Sequence, residues 1–245
     1  MEIWQYILLF GAVLAGGSLA FWFKKHNRRF LQLVLSFVGA YLLGILVLHL
    51  IPDAYTGSSP KIGLWVLAGF FIQLTLEQFS LGVEHGHIHD HHHTSRPLFA
   101  LQVVISLSIH AFMEGLPLSM DEVFHATTSG EPHQHNQLFY GVILHKAPEA
   151  FALALLLLMS HFSKKVVIIS IILFAAMSPL GAFITQSIHF ETQTLQKMIA
   201  VVIGSLLHIS TTILFEVDNT DEHRISIQKI GAIVAGVVLS LLTTL

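Results

Sequence analysis

The amino-acid sequence predicts an all-α integral membrane protein of eight transmembrane helices with both termini outside. Three observations carry that prediction. Of 245 residues, 53% are hydrophobic and only 11% charged, whereas a soluble domain carries about 25% charged residues. The mean hydropathy is +0.70. The apolar residues gather into stretches near the ~20 residues that cross the hydrocarbon core as a helix, and the cations between those stretches fall unevenly on the two sides.

The spans lie near residues 3–23, 30–52, 61–83, 98–119, 137–160, 165–187, 195–215 and 225–244. Polar or turn-forming segments separate them: the basic run of Lys24, Lys25, Arg28 and Arg29 after the first, Gly57-Ser58-Ser59-Pro60 after the second, and histidine-rich loops after the third and fourth. Short connections make most neighbours antiparallel hairpins. Loops on one side hold Lys24, Lys25, Arg28, Arg29, Arg96, Lys164, Lys165, Arg224 and Lys229, and the other side holds Lys61 and Lys197. The positive-inside rule assigns the first group to the cytoplasm. Lys146 is left inside a span. The first segment opens with the acidic Glu2 and has no convincing small-residue cleavage pattern, so it reads as a retained helix rather than a secretory signal. Without a long-period repeat, residues 1–245 read as a single transmembrane domain with a histidine-rich cytoplasmic loop at 85–97. The location expected is the plasma membrane, or the inner membrane of a bacterium.

Composition narrows the chemistry. The formal net charge of −3 offers no basic surface for nucleic acid. There is no cysteine, so any metal must be held by nitrogen and oxygen. Histidine, with 17 copies against 12 for Lys and Arg together, is the abundant nitrogen ligand.

Ionisable residues inside apolar spans are costly and mark pathways or sites. The fourth span contains His110 and Glu114, and the fifth contains His145 and Glu149. Each pair is His-x-x-x-Glu, a spacing that puts both side chains on one helical face one turn apart. Two such helices packed together present two imidazoles and two carboxylates, a suitable shell for a divalent transition metal. Pro148 lies inside the fifth-span motif and Pro117 follows the fourth-span motif by three residues. Proline frees a carbonyl one turn earlier, for Pro148 that of Leu144, which membrane helices tolerate only where another group or a wet cavity satisfies it. One intramembrane His or Glu is as readily an interhelical hydrogen bond. Two identical pairs on consecutive spans, both with prolines, favour a metal pathway.

The runs His110-Ala111-Phe112-Met113-Glu114-Gly115-Leu116-Pro117 and His145-Lys146-Ala147-Pro148-Glu149 resemble the fourth and fifth helices of the ZIP (Zrt/Irt-like) metal transporters. The end of the second span, His49-Leu50-Ile51-Pro52-Asp53, is similar to that family's His-x-x-Pro-acid signature. Eight spans, outside termini and a histidine-rich loop after the third helix extend the likeness over essentially the whole chain. The resemblance implies a ZIP-like bundle that imports divalent metal into the cytoplasm, with His110, Glu114, His145 and Glu149 matching the transport-site ligands. Some family members hold a second, adjacent metal through polar residues after the two histidines and an acid before the Pro-x-Gly of the sixth helix. Those positions here are Ala111, Lys146 and Ser178. A single transport-site metal is therefore expected, with Lys146 standing electrostatically for the second ion or pairing with a nearby carboxylate such as Glu149.

His85, His87, His89, His91, His92 and His93, with Glu84 and Asp90, form a cytoplasmic cluster suited to receiving, buffering or sensing metal. On the outer side, His49 and Asp53 are candidates for lining the mouth. Asp121, Glu122, His125, Glu131, His133 and His135 can gather cations or simply form a solvated loop. Gln73, Glu77, His208 and Glu216 read equally as gating, proton-linked or interhelical hydrogen-bonding groups. Gly16, Gly17, Gly39, Gly44, Gly181, Gly204 and Gly236 read as helix contacts. The cargo expected is Zn2+, with iron, manganese, cobalt and cadmium as other divalent candidates, and no resident cofactor or catalytic residue is expected. Partners are the metal ions, membrane lipids and, as a homodimer, a second copy of the chain. The competing readings are a membrane metalloenzyme, disfavoured by the lack of His-Glu-x-x-His, and a cytochrome using intramembrane histidines as haem ligands.

Overall fold

A computed structural model describes residues 1–22, 28–55, 61–80, 96–119, 137–188, 190–215 and 226–243. Eight helical segments appear among them, each over one of the predicted spans. Helix α1 covers Ile3–Leu19, α3 Ile62–Ser80, α5 Gln137–Met159, α6 Lys164–Ser187, α7 Thr192–Phe215 and α8 Ile227–Leu242. Helix α2 is composite, running from Arg28–Ile45 through a π-helical turn at Leu46–Leu50 into Ile51–Tyr55. Helix α4 spans Arg96–Gly115 and tightens into a 3-10 turn at Leu116–Ser119. Six of the eight are long and apolar enough to cross a membrane, whereas α1 and α8 have 17 and 16 residues. At 1.5 Å per residue these two reach about 25 Å, short of the ~30 Å hydrocarbon core.

Local chemistry explains several boundaries. Ser163 and Ser226 cap α6 and α8, their hydroxyls accepting from the backbone N–H of Val166 and Lys229, which satisfies donors that the first helical turn leaves unpaired. At the head of α1 the Glu2 N–H donates to Gln5 Oε1 at 2.8 Å. The π turn of α2 ends just before Pro52. Proline there has no N–H and would press on the carbonyl one α-turn back, so widening the helix accommodates it. The Ile51 N–H accordingly reaches Leu46 O. His49 rides on this widened turn.

The helices pack as two sets. In the first, α1 lies against α5 and α6, and α4 lies against α6; in the second, α3 lies against α7, and α2 against α8 and α7. Contacts of α2 with α5 and of α3 with α4 join the sets. A core around Val103, Leu107, Leu153, Ile171 and Phe174 fills the first set, and a second cluster around Leu46, Val142, Ile199 and Leu206 lies on the other side.

Small residues set how closely these helices approach, as they do where apolar burial alone cannot drive association in lipid. A Cβ added to Gly69 would fall 1.8 Å from the Val201 carbonyl oxygen, and one added to Gly204 would fall 1.9 Å from that of Val66. Helices α3 and α7 therefore touch backbone to backbone. Gly115 and Gly181 stand in the same reciprocal relation, 2.1 Å from Ser178 O and 2.3 Å from Phe112 O, holding α4 on α6. Gly16 lets α1 reach Ala147 O, just before Pro148. The glycines expected from the sequence to be contacts include these, while Gly69 and Gly115 add to them. Gly204→Ala should force α3 and α7 apart, lowering stability by about 1–3 kcal/mol as overpacking does. Gly231→Ala, inside α8 with nothing within 4 Å, should keep or raise the melting temperature of the purified protein, since alanine favours a helix over glycine; equal melting of the two variants would contradict this packing.

Candidate metal site

His110 and Glu114 come from the last turns of α4, and His145, Lys146 and Glu149 from the middle of α5. The i,i+4 spacing brings each pair to one face, and the two faces meet. His110 and Glu114 are 0% exposed, Glu149 and Lys146 1%, and His145 5%. One ligand atom from each of the two imidazoles and two carboxylates lies within 4.8 Å of every other.

The separations fit a small cation. His110 Nε2 is 3.0 Å from Glu114 Oε1 and 3.7 Å from Glu149 Oε1, and His145 Nε2 is 3.2 Å from Glu114 Oε1 and 3.4 Å from Glu149 Oε2. Ligand bonds of about 2.0–2.2 Å around tetrahedral zinc place neighbouring donor atoms roughly 3.3–3.5 Å apart. Glu114 Oε1 lies beside both Nε2 atoms, so a carboxylate fills the gap between the imidazoles. That carboxylate leaves no place for a porphyrin between His110 and His145 as a haem-ligand pair.

Lys146 occupies the far side of the same carboxylates. Its Nζ lies 2.5 Å from Glu114 Oε2 and 2.9 Å from Glu149 Oε2, and 5.1 Å from the centroid of Phe174 on α6. The ammonium thus bridges both acids and rests against an aromatic face, a favourable cation–π arrangement. Ser178, another of the replaced positions, donates to the backbone carbonyl of the third, Ala111, at 2.9 Å.

Helix α3 supplies a buried polar edge. Gln73 Oε1 lies 3.0 Å from His110 Nδ1 and accepts from Ser205 Oγ on α7 at 2.9 Å. One turn further on, Glu77 forms a short contact with His208 Nε2, whose ring meets Phe70 edge-on at 4.8 Å. Gln73 and Glu77 thus engage α7 residues, as the interhelical reading of these positions expects. Ser205 and Phe174 were not foreseen. The signal for Ser205 is its spacing of three from His208, which matches the spacing of four between Gln73 and Glu77 on the facing helix.

Other sequence-predicted positions lie apart from the quartet. His49 and Asp53 on α2 are half-buried and take no part in it. The loop residues His85, His87, His89, His91, His92 and His93, the outer-loop set from Asp121 to His135, and Glu216 fall outside the described residues.

The apolar helices define an integral membrane protein, and its interior cluster of two imidazoles and two carboxylates is one that could hold a metal ion between the spans. The chain belongs to the ZIP zinc transporter family, which its residues 82–244 match. It is 32% identical to human zinc transporter ZIP2 over 147 residues, covering 60% of this chain and 41% of that protein. It is 28% identical to bovine zinc transporter ZIP1 over 198 residues, covering 63% and 58%. The mouse zinc transporter SLC39A7 is 37% identical over 87 residues, covering 28% and 18%. The chain therefore spans between about a fifth and three fifths of the length of these relatives. All three of these relatives are named as transporters.

The bridging ammonium gives a direct test by stability. Removing one partner of a buried ion pair typically costs about 3–5 kcal/mol because the remaining charge is left unpaired. Lys146→Met should lower the melting temperature, and added Zn2+ should recover more of that loss than it adds to the parent. An unshifted melting curve would show that Lys146 does not hold the two acids together.

Proposed function

We propose that this protein carries a divalent metal ion, Zn2+ foremost, across the membrane into the cytoplasm through a site formed by His110, Glu114, His145 and Glu149. The observation that carries the reading is the convergence of those four donors, buried and with one ligand atom of each within 4.8 Å of the others, on adjacent spans of a ZIP-family chain. The zinc in the names of the related transporters supports that cargo. The distribution of Lys and Arg supports both termini lying outside, and the inward direction follows the resemblance to the family's importers.

A hydrated cation reaching the site exchanges water for two imidazole nitrogens and two carboxylate oxygens. Neutral imidazole and ionised carboxylate are the binding forms, so protons compete and acidification of the outer solution weakens uptake. The Lys146 ammonium already pairs with both carboxylates, which leaves room for one metal rather than two. His49 and Asp53 line the outer approach, and the loop from His85 to His93 receives the ion on the cytoplasmic side. The membrane is the plasma membrane, or the inner membrane of a bacterium, and a homodimer is the proposed assembly.

Zn2+ uptake into proteoliposomes, with Cd2+, Co2+, Mn2+ and Fe2+ as competitors, tests the site. His110→Ala and Glu149→Ala should fall to the rate of empty liposomes while keeping the parent's elution profile and helix content. Parental uptake by both variants would refute it. Zn2+ titration of the parent, with the loop at 85–93 deleted to remove its own affinity, should give one tight ion per chain; two would contradict the single-ion reading.

A further inference from the structure

We infer that Gln73 is a positioning residue of the metal site, fixing His110 as an Nε2 ligand and keeping metal affinity low enough for release. The inference rests on the site reading above. Its starting point is an asymmetry between the two imidazoles. His110 Nδ1 faces Gln73 Oε1 at 3.0 Å, whereas His145 Nδ1 is buried without a hydrogen-bond partner among the described residues.

An amide oxygen only accepts, so the proton in the Gln73 contact belongs to His110 Nδ1. Nε2 then carries the lone pair, and Nε2 is the atom that faces Glu114 and Glu149. Were the Gln73 amide turned over, its NH2 would donate to Nδ1 and the proton would move to Nε2, blocking the ligand. Ser205 shares the amide oxygen in the orientation observed. Its hydroxyl donates to the same Oε1 at 2.9 Å, and both Gln73 and Ser205 are 0% exposed. The backbones carrying them are held together by the Gly69 and Gly204 contacts, one turn from Gln73 and adjacent to Ser205 respectively. Ser106, one turn before His110, ties α4 to α3 by donating to Leu76 O.

Metal-bound histidines commonly donate their second N–H to a carboxylate, which makes the imidazole more basic and the metal tighter. Here the acceptor is a neutral amide. It selects the same tautomer without adding a third negative charge to a cluster that already holds two carboxylates against one ammonium. A site that must give up its ion gains from that choice.

The test compares the parent with Gln73→Leu, Gln73→Glu and Glu149→Ala, all full length except for deletion of residues 85–93, by Zn2+ titration, 15N NMR of the His110 ring and proteoliposome uptake. Gln73→Leu should weaken Zn2+ affinity by about 10–100-fold, the usual effect of losing an outer-shell partner, and the His110 ring should lose its single Nδ1–H tautomer in the Zn2+-free protein. Gln73→Glu should keep that tautomer, bind Zn2+ more tightly, and lower both KM and the maximal rate. A merely structural role would not split the two substitutions in this way. Parental affinity and ring shifts in Gln73→Leu, with Glu149→Ala no longer binding, would overturn the role of Gln73 alone. Should Gln73→Leu fail to fold, Gln73→Glu decides: parental KM and rate would overturn the inference. Parental Zn2+ affinity in Glu149→Ala would overturn the site reading, and this inference with it.

Discussion

Two carboxylates and an ammonium buried between membrane helices must compensate one another, and the rest of this structure is arranged around that requirement. Unpaired charge in a low-dielectric interior is strongly unfavourable. Lys146 meets it by reaching both Glu114 and Glu149 from α5, on the side away from the imidazoles. The Oε2 atoms of both acids lie against the lysine, while Glu114 Oε1 lies beside both imidazoles and Glu149 reaches His110 through Oε1 and His145 through Oε2.

The backbone features around the cluster serve the same geometry. Bringing α4 and α5 side chains to one point requires that neighbouring helices pack closely enough to exclude lipid and water, and glycine at the crossings permits it. Gly115 and Gly181 seat α4 on α6, the helix that presents Phe174 to Lys146. Gly16 brings α1 onto the backbone just before Pro148. Gly69 and Gly204 clamp α3 to α7, placing Gln73 and Ser205 where they can share one oxygen. Packing and polar chemistry are coupled here because a membrane interior offers no water to repair a misplaced donor.

Much of this is legible in the sequence because the signals are periodic and local. Hydropathy over ~20 residues locates a span without knowledge of its neighbours, and all eight segments found coincide with predicted ones to within a few residues. The His-x-x-x-Glu pairs are equally local, since a single helical turn determines that both side chains share a face. The shortness of α1 is less visible, because Ala20, Phe21 and Trp22 continue apolar beyond its last helical residue and hydropathy does not register where the helix stops. The least legible features depend on which helices meet. Gln73 and Ser205 are 132 positions apart, and nothing in either segment says that Ser205 meets the amide that faces His110. Phe174 is one apolar residue among many until α6 is placed beside Lys146. The same holds for Gly69 and Gly115, whose role exists only in the pair of backbones that they admit.

Counting charge in the assembled site connects these features to the proposed cargo. With both carboxylates ionised and both imidazoles neutral, the cluster carries one net negative charge. A dication turns that into one net positive charge, so the loaded site is no better compensated than the empty one, and electrostatics alone do not trap the ion. Exchange Lys146 for a neutral residue and the empty site would carry two negative charges, fully matched only by a dication. Affinity must then come chiefly from directional donors, the imidazoles above all, with His110 held in one tautomer by a neutral partner. Such a site discriminates by ligand type and spacing, which suits transition metals over Mg2+ and Ca2+, and it does so without the deep electrostatic well that would oppose release.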